Sequence, residues 1–228
     1  MITPWLRRIG LATCAGATFA ACADASPSGS TDPGGPTPLP WAGAILVHPL
    51  PKPEFTLTTD TGQPFDFRRD TAGKVALLYF GYTNCPDACP TTMASLALAV
   101  KQLPAAQRAD VVTVFVTTDP ARDSPARLKS WLTQFDPTFI GLTGPADQLA
   151  AAQNASQLPI ATPEATAPGA APGVYGVDHA AVVLVFTPDG LAHVEWPDGV
   201  TTADAARDLA RLVTTGFTGP VPGTPPPG

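Results

Sequence analysis

Between about residue 53 and residue 215, short apolar runs alternate with amphipathic ones, and the turn residues between them mark off the elements. Phe55-Thr56-Leu57-Thr58-Thr59 alternates apolar and polar positions, turns at Asp60-Thr61-Gly62 and returns through Phe65-Asp66-Phe67, which predicts two short strands. After a turn at Asp70-Thr71-Ala72-Gly73, the run from Lys74 to Phe80 is apolar in its body, as in a strand covered on both faces. A helix is expected from Thr92 to Gln102, stopped by Pro104, and a second buried strand over Val111–Val116. Ser124 and Pro125 supply an N-cap and a first helical residue for a helix to about Phe135. Phe139 to Leu142 is a short strand, and Gly144-Pro145 opens another helix through Leu149 and Ala152. Gln157 to Val177 is a long Ala/Pro/Thr/Gly segment, of a length that inside a domain is usually functional or disordered. Ala180–Phe186 and Leu191–Trp196, joined at Pro188-Asp189-Gly190, form a hairpin, and Thr201 to Asp204 has capping-box spacing for a last helix to about Val213.

Strand–helix alternation in the first part implies right-handed crossovers and parallel strands, and the later hairpin makes the sheet mixed. The expected class is α/β: a thioredoxin-like mixed β-sheet flanked by helices, with an N-terminal β-hairpin extension. Residues 53–215 are expected to form this domain, followed by a disordered tail over 216–228.

Composition changes the picture at the ends. The 28 prolines and 20 glycines crowd into residues 26–53, 159–173 and 219–228, which leaves the segments between them to build one core. Residues 22–52 read as a flexible Pro/Gly/Ser-rich tether. Before it, Arg7-Arg8 and the apolar run Ile9–Ala21, ending at Ala20-Ala21-Cys22, read as an export signal over residues 1–21. These thirteen residues are too few to span a bilayer, which needs about 20. The small pair before Cys22 resembles the cleavage site of bacterial lipoproteins, so Cys22 is the expected lipidation site and the chain is expected on the extracytoplasmic face of the cell membrane. A net charge of −6 with scattered basic residues argues against nucleic acid as a partner.

With Cys14 removed in the signal and Cys22 lipidated, Cys85 and Cys89 are the only thiols of the folded part. They lie in Leu77-Leu78-Tyr79-Phe80-Gly81-Tyr82-Thr83-Asn84-Cys85-Pro86-Asp87-Ala88-Cys89-Pro90, at the carboxyl end of a central strand, where such sheets place their sites. The start of the following helix should favour thiolate over thiol. A disulfide closing so short a loop is worth only about 2 kcal/mol, which makes a structural staple a poor explanation. Such a pair can form a redox disulfide or hold a soft metal ion. Thioredoxin-like reductases have two residues between their cysteines and a cis-proline before the hairpin strand; here there are three, and Gly176-Val177-Asp178-His179-Ala180 stands at the second place. If His179 reaches the cysteines, two thiolates and an imidazole make a set that favours copper among first-row metals. Taken alone, His179 reads as an ordinary satisfied histidine.

The motif around the cysteines, together with Thr118-Asp119-Pro120-Ala121-Arg122-Asp123-Ser124-Pro125, Phe139-Ile140-Gly141-Leu142-Thr143-Gly144 and Val177-Asp178-His179, resembles the Sco (SenC) family of extracytoplasmic copper-binding proteins. The resemblance implies copper bound by Cys85, Cys89 and His179 and delivered to the binuclear copper centre of cytochrome c oxidase. The implied partners are the copper-bearing oxidase subunit, another copper chaperone or a thiol reductase, and the membrane through the lipid. Some members are assigned thiol-disulfide roles instead, with Cys85 and Cys89 as the redox pair. Asp87 and Asp178 are expected to tune the ligands from behind. Asp119 and Asp123 are expected to shape their loop, His48 and His193 to be structural, and Met93 to be core. A peroxidase is disfavoured, since no arginine lies near Cys85 in sequence.

Overall fold

The computed structural model describes residues 40–219 except 166–170 and 172. Cys14, Cys22, the signal and most of the tether therefore lie outside the described residues. In chain order the elements are β1 (Ala44–Pro51), β2 (Thr56–Thr59), β3 (Pro64–Asp66), α1 (Phe67–Asp70), β4 (Val75–Gly81), α2 (Ala88–Gln102), α3 (Ala105–Arg108), β5 (Val111–Thr117), α4 (Pro125–Leu132), β6 (Ile140–Thr143), α5 (Ala146–Ala155), β7 (Thr162–Pro163), β8 (Val177–Asp178), β9 (Val182–Phe186), β10 (Leu191–Pro197) and α6 (Thr202–Thr215).

Eight strands form one mixed sheet in the order β1-β10-β9-β4-β5-β6-β2-β3, with β4, β5 and β6 parallel and the rest antiparallel. Every residue of β4 is buried. Because side chains alternate along a strand, Val75, Leu77 and Tyr79 enter one core while Ala76, Leu78 and Phe80 enter the other. Helices α2, α4 and α6 cover the first face, through Met93, Leu96, Leu128, Trp131, Leu209 and Leu212. Leu149 and Ala152 of α5, with Phe67 of α1, cover the second. The thioredoxin-like α/β expectation holds, and the β2–β3 hairpin joins the sheet edge by pairing with β6.

Local chemistry sets the boundaries. Helix α2 starts at Ala88, a turn earlier than expected, so Pro90 falls in the first turn, where its missing N–H costs nothing. Ser124 and Thr201 cap α4 and α6 as expected, accepting from the backbone N–H of Arg127 and Asp204.

Two expectations about the ends need correction. Residues 44–51 belong to the sheet as its edge strand β1, paired with β10, and are not tether. Pro49 and Pro51 disguised this strand, but an edge needs to pair on one side only, and the register shift between Ile45 and Leu50 accommodates them. At the other terminus, Phe217 is packed: it stacks on Trp41 at 5.3 Å between centroids and on His193 at 4.5 Å. The Arg211 guanidinium lies 3.8 Å over the other partner in that stack, the Trp41 ring. The Ala42 N–H donates to Asp208, a fully buried residue of α6, at 2.8 Å. This strap fixes where the chain enters the domain.

The turn ahead of Cys85 is held from behind. Asp123, fully buried, accepts from the Thr83 backbone N–H (3.0 Å), the Thr83 hydroxyl (2.6 Å) and the Thr117 hydroxyl (2.7 Å), tying the exits of β4 and β5 together. Asp119, also buried, accepts from the Tyr175 hydroxyl, so both acids shape the site's loops as expected.

Removing the Asp123 carboxylate would strand three buried donors. Asp123→Ala is expected to cost about 3 kcal/mol or more in urea unfolding. A second prediction concerns Asp208, whose carboxyl is raised above its ordinary value by burial. An acid with a raised folded pKa binds more protons folded than unfolded, so falling pH stabilises the fold as it passes through that pKa. Relative to Asp208→Asn, the wild-type chain should gain stability as pH is lowered from 7 toward 4; parallel profiles would refute this.

Candidate metal centre

Strand β4 runs out at Gly81, and the chain turns through Tyr82, Thr83 and Asn84 to Cys85, whose backbone N–H donates to the Tyr82 carbonyl at 3.2 Å. Gly81 leaves the space the site needs. A Cβ there would come within 2.8 Å of Cys89 Sγ and 2.7 Å of the Tyr79 ring. Cys89, the second residue of α2, is fully buried, whereas Cys85 is half-buried against the edge of the same core.

The structure brings the third predicted ligand to this point. Cys89 Sγ lies 3.5 Å from His179 Nε2, and the ligand atoms of Cys85, Cys89 and His179 all lie within 4.8 Å of one another. Among the described residues this is the one such cluster of three or more potential metal-binding side chains. The His179 ring is gripped between two tyrosines, edge-on to Tyr79 at 6.0 Å and to Tyr82 at 5.7 Å. Tyr79 also donates its hydroxyl to Cys89 Sγ at 3.7 Å.

Electrostatics divide the two sulfurs. The start of α2 serves Cys85: the Cys89 backbone N–H donates to Cys85 Sγ at 3.4 Å. For Cys89 the expected thiolate is corrected, because burial pushes its thiol well above the ordinary range. A cation entering here must displace that proton. Burial also lowers the pKa of His179, against the opposing pull of the Ala180 backbone and the Asp178 carboxylate. The ring is thereby kept neutral, with a lone pair free to ligate.

Asp178 thus acts on His179 through its charge, from an exposed position in β8. Asp87 is exposed at the N-cap of α2 and makes no side-chain capping bond. His48 is exposed on β1, and His193 bonds Asp189 at 2.8 Å, both away from the sulfurs. Met93 is core, as expected.

The long segment before His179 is not structureless. Ala161 N–H donates to Gln153 Oε1 at 2.7 Å, and β7 pairs with β8 in a short antiparallel ladder. Sequence reasoning missed what else holds it. Arg122 donates to the carbonyls of Tyr175 (2.9 Å) and Gly173 (3.2 Å), pairs with Asp119, and lies 3.5 Å over the Tyr175 ring. Arg127, remote in sequence, donates to the Thr83 hydroxyl at 3.0 Å and to Asn84 at 3.2 Å, so an arginine does stand beside the cysteine turn. The i,i+3 spacing of Asp119 and Arg122 was the available signal for the first; Arg127 had none.

Known proteins are similar to this chain in sequence and fold. The sequence pattern of the SCO1/SenC family matches residues 48–214, beginning inside β1. Protein SCO1, mitochondrial, of Saccharomyces cerevisiae is 37% identical over 122 residues, covering 54% of this chain and 40% of the yeast protein's length. The apo Sco1 structure from Thermus thermophilus is 31% identical with a TM-score of 0.66, covering 76% of this chain and 97% of that one. The Bradyrhizobium japonicum ScoI structure with copper bound is 31% identical with a TM-score of 0.62, covering 71% and 98%. With the family pattern running from the first edge strand almost to the end of the last helix, the chain belongs to the SCO1/SenC family.

Proposed function

We propose that this chain holds copper through Cys85, Cys89 and His179 and passes it to the copper-bearing subunit of cytochrome c oxidase. The observation that carries this reading is the convergence of two sulfurs and one neutral imidazole within 4.8 Å. That donor set is soft, and the acids nearest it in sequence, Asp87 and Asp178, are exposed, which suits copper better than a hard cation. The half-buried Cys85 gives a partner's ligand a place to begin exchange, as a cargo protein requires. The ScoI structure with copper bound supports the same choice of ion. Such a role calls for a chaperone that loads the ion and a thiol reductase that keeps both sulfurs reduced. Lipid on Cys22 would hold the domain at the extracytoplasmic face of the membrane; among the described residues no helix is long and apolar enough to cross one.

A chain that only exchanged disulfides with the oxidase subunit or another exported protein would need Cys85 and Cys89 but not His179. The two roles separate by experiment. His179→Ala should weaken copper binding by at least ~100-fold in a competition titration, since even groups behind a ligand are worth 10–100-fold. Unchanged affinity would remove the three-ligand reading. In cells lacking the protein, oxidase copper content should be restored by the wild-type chain and by neither Cys85→Ser nor His179→Ala. Rescue by His179→Ala alone would point to disulfide exchange.

A further inference from the structure

The two halves of the site come from segments 90 residues apart, and two consecutive side chains grip one half each. Asp123 reaches into the β4–α2 turn and holds Thr83, two residues before Cys85. Its neighbour Arg122 reaches the other way and holds Gly173 and Tyr175, the latter four residues before His179. The short loop after β5, which supplies no ligand, is therefore the joint between the sulfur side and the imidazole side.

Several contacts make that joint specific. The Arg122 guanidinium lies over the Tyr175 ring, 3.5 Å from its centre, and 5.7 Å from the centre of the Tyr82 ring, which itself meets His179 edge-on. Asp119 ties the two grips together: it pairs with Arg122 and accepts the Tyr175 hydroxyl at 2.9 Å, while its own N–H donates to Thr117 at 2.9 Å. A planar fork that stacks and bonds two carbonyls is a task for arginine, not lysine. Elsewhere the segment is held by the two residue pairs of the β7–β8 ladder, by the Glu164 N–H on the Gly176 carbonyl (2.9 Å) and by the buried Val177, while Val174, between the two gripped carbonyls, is more than half exposed. Among the described residues the buried Arg122 Nη2 has no partner, so the grip is not saturated.

We propose that Arg122 and Tyr175 form a latch that keeps His179 over the two sulfurs and thereby sets how fast the site gives up a bound copper ion. Closed, the site offers two sulfurs and an imidazole; open, it offers the sulfurs alone, and a competing ligand meets a cation with a vacant side. Arg122 and Tyr175 are positioning residues, acting on the metal only through His179. The latch rests on the copper-holding reading, and its test separates the two.

The full chain is loaded with Cu(I), and the rate at which a chelator extracts the ion is followed in the wild type, Arg122→Ala, Arg122→Lys, Tyr175→Phe, His179→Ala and the Arg122→Ala/His179→Ala double variant. Arg122→Ala should release copper about 10-fold faster, and it should add nothing once His179 is gone, as a fully coupled pair requires. Arg122→Lys should follow Arg122→Ala, and Tyr175→Phe, which keeps the ring but loses the Asp119 bond, should give a smaller increase. A metal-free readout accompanies these: the His179 ring protons, shifted by the Tyr79 and Tyr82 rings, should move toward exposed-histidine values in both Arg122 variants. An Arg122→Ala rate equal to wild type, or an equal acceleration with and without His179, overturns the latch. Should His179→Ala release copper no faster than wild type, the three-ligand reading fails, and the metal-free ring shifts still decide the latch. If Arg122→Ala does not fold, Arg122→Lys and Tyr175→Phe take its place: faster release supports the latch, and wild-type rates in both overturn it.

Discussion

The contact between Cys89 Sγ and His179 Nε2, made beneath two tyrosine rings at the end of β4, is the constraint around which the site is built. Bringing a thiol and an imidazole out of water penalises their charged forms, so the metal-free pocket holds two neutral polarisable groups at 3.5 Å. The neutral imidazole offers its lone pair as it stands, whereas a soft cation would bind Cys89 as thiolate and would have to displace the proton on sulfur. Cys85, backed by the start of α2, is the less buried of the two sulfurs. A buried and a half-buried sulfur in one site would give a firm hold and a point of access.

The sheet makes this arrangement possible. Strand β4 is covered on both faces and flanked by β5 and β9, so its carboxyl end is held in place from all sides. Gly81 then leaves room for Cys89 and Tyr79 where any side chain would collide with them. The hydrogen bonds of Asp123 fix the turn that follows against β5. A rigid sulfur side is thus paired with an imidazole side held by a small number of separable contacts. That asymmetry suits the proposed holding and release of a metal ion.

What could be read along the chain was local. Continuous apolar runs marked β4 and β5, capping residues marked α4 and α6, and the Pro-flanked cysteine motif marked the end of a central strand, all of it short-range stereochemistry that survives packing. The proposed copper ligands were named through family resemblance, since nothing near His179 distinguishes it from a structural histidine. The rest was settled by packing. Pro49 and Pro51 hide an edge strand because their tolerance depends on which side of β1 is paired. The ionisation of Cys89 went against the helix-start argument because burial outweighed the dipole. Arg122, Arg127 and Tyr175 could not be assigned roles because each acts on a residue more than forty positions away, a distance that local patterns do not encode.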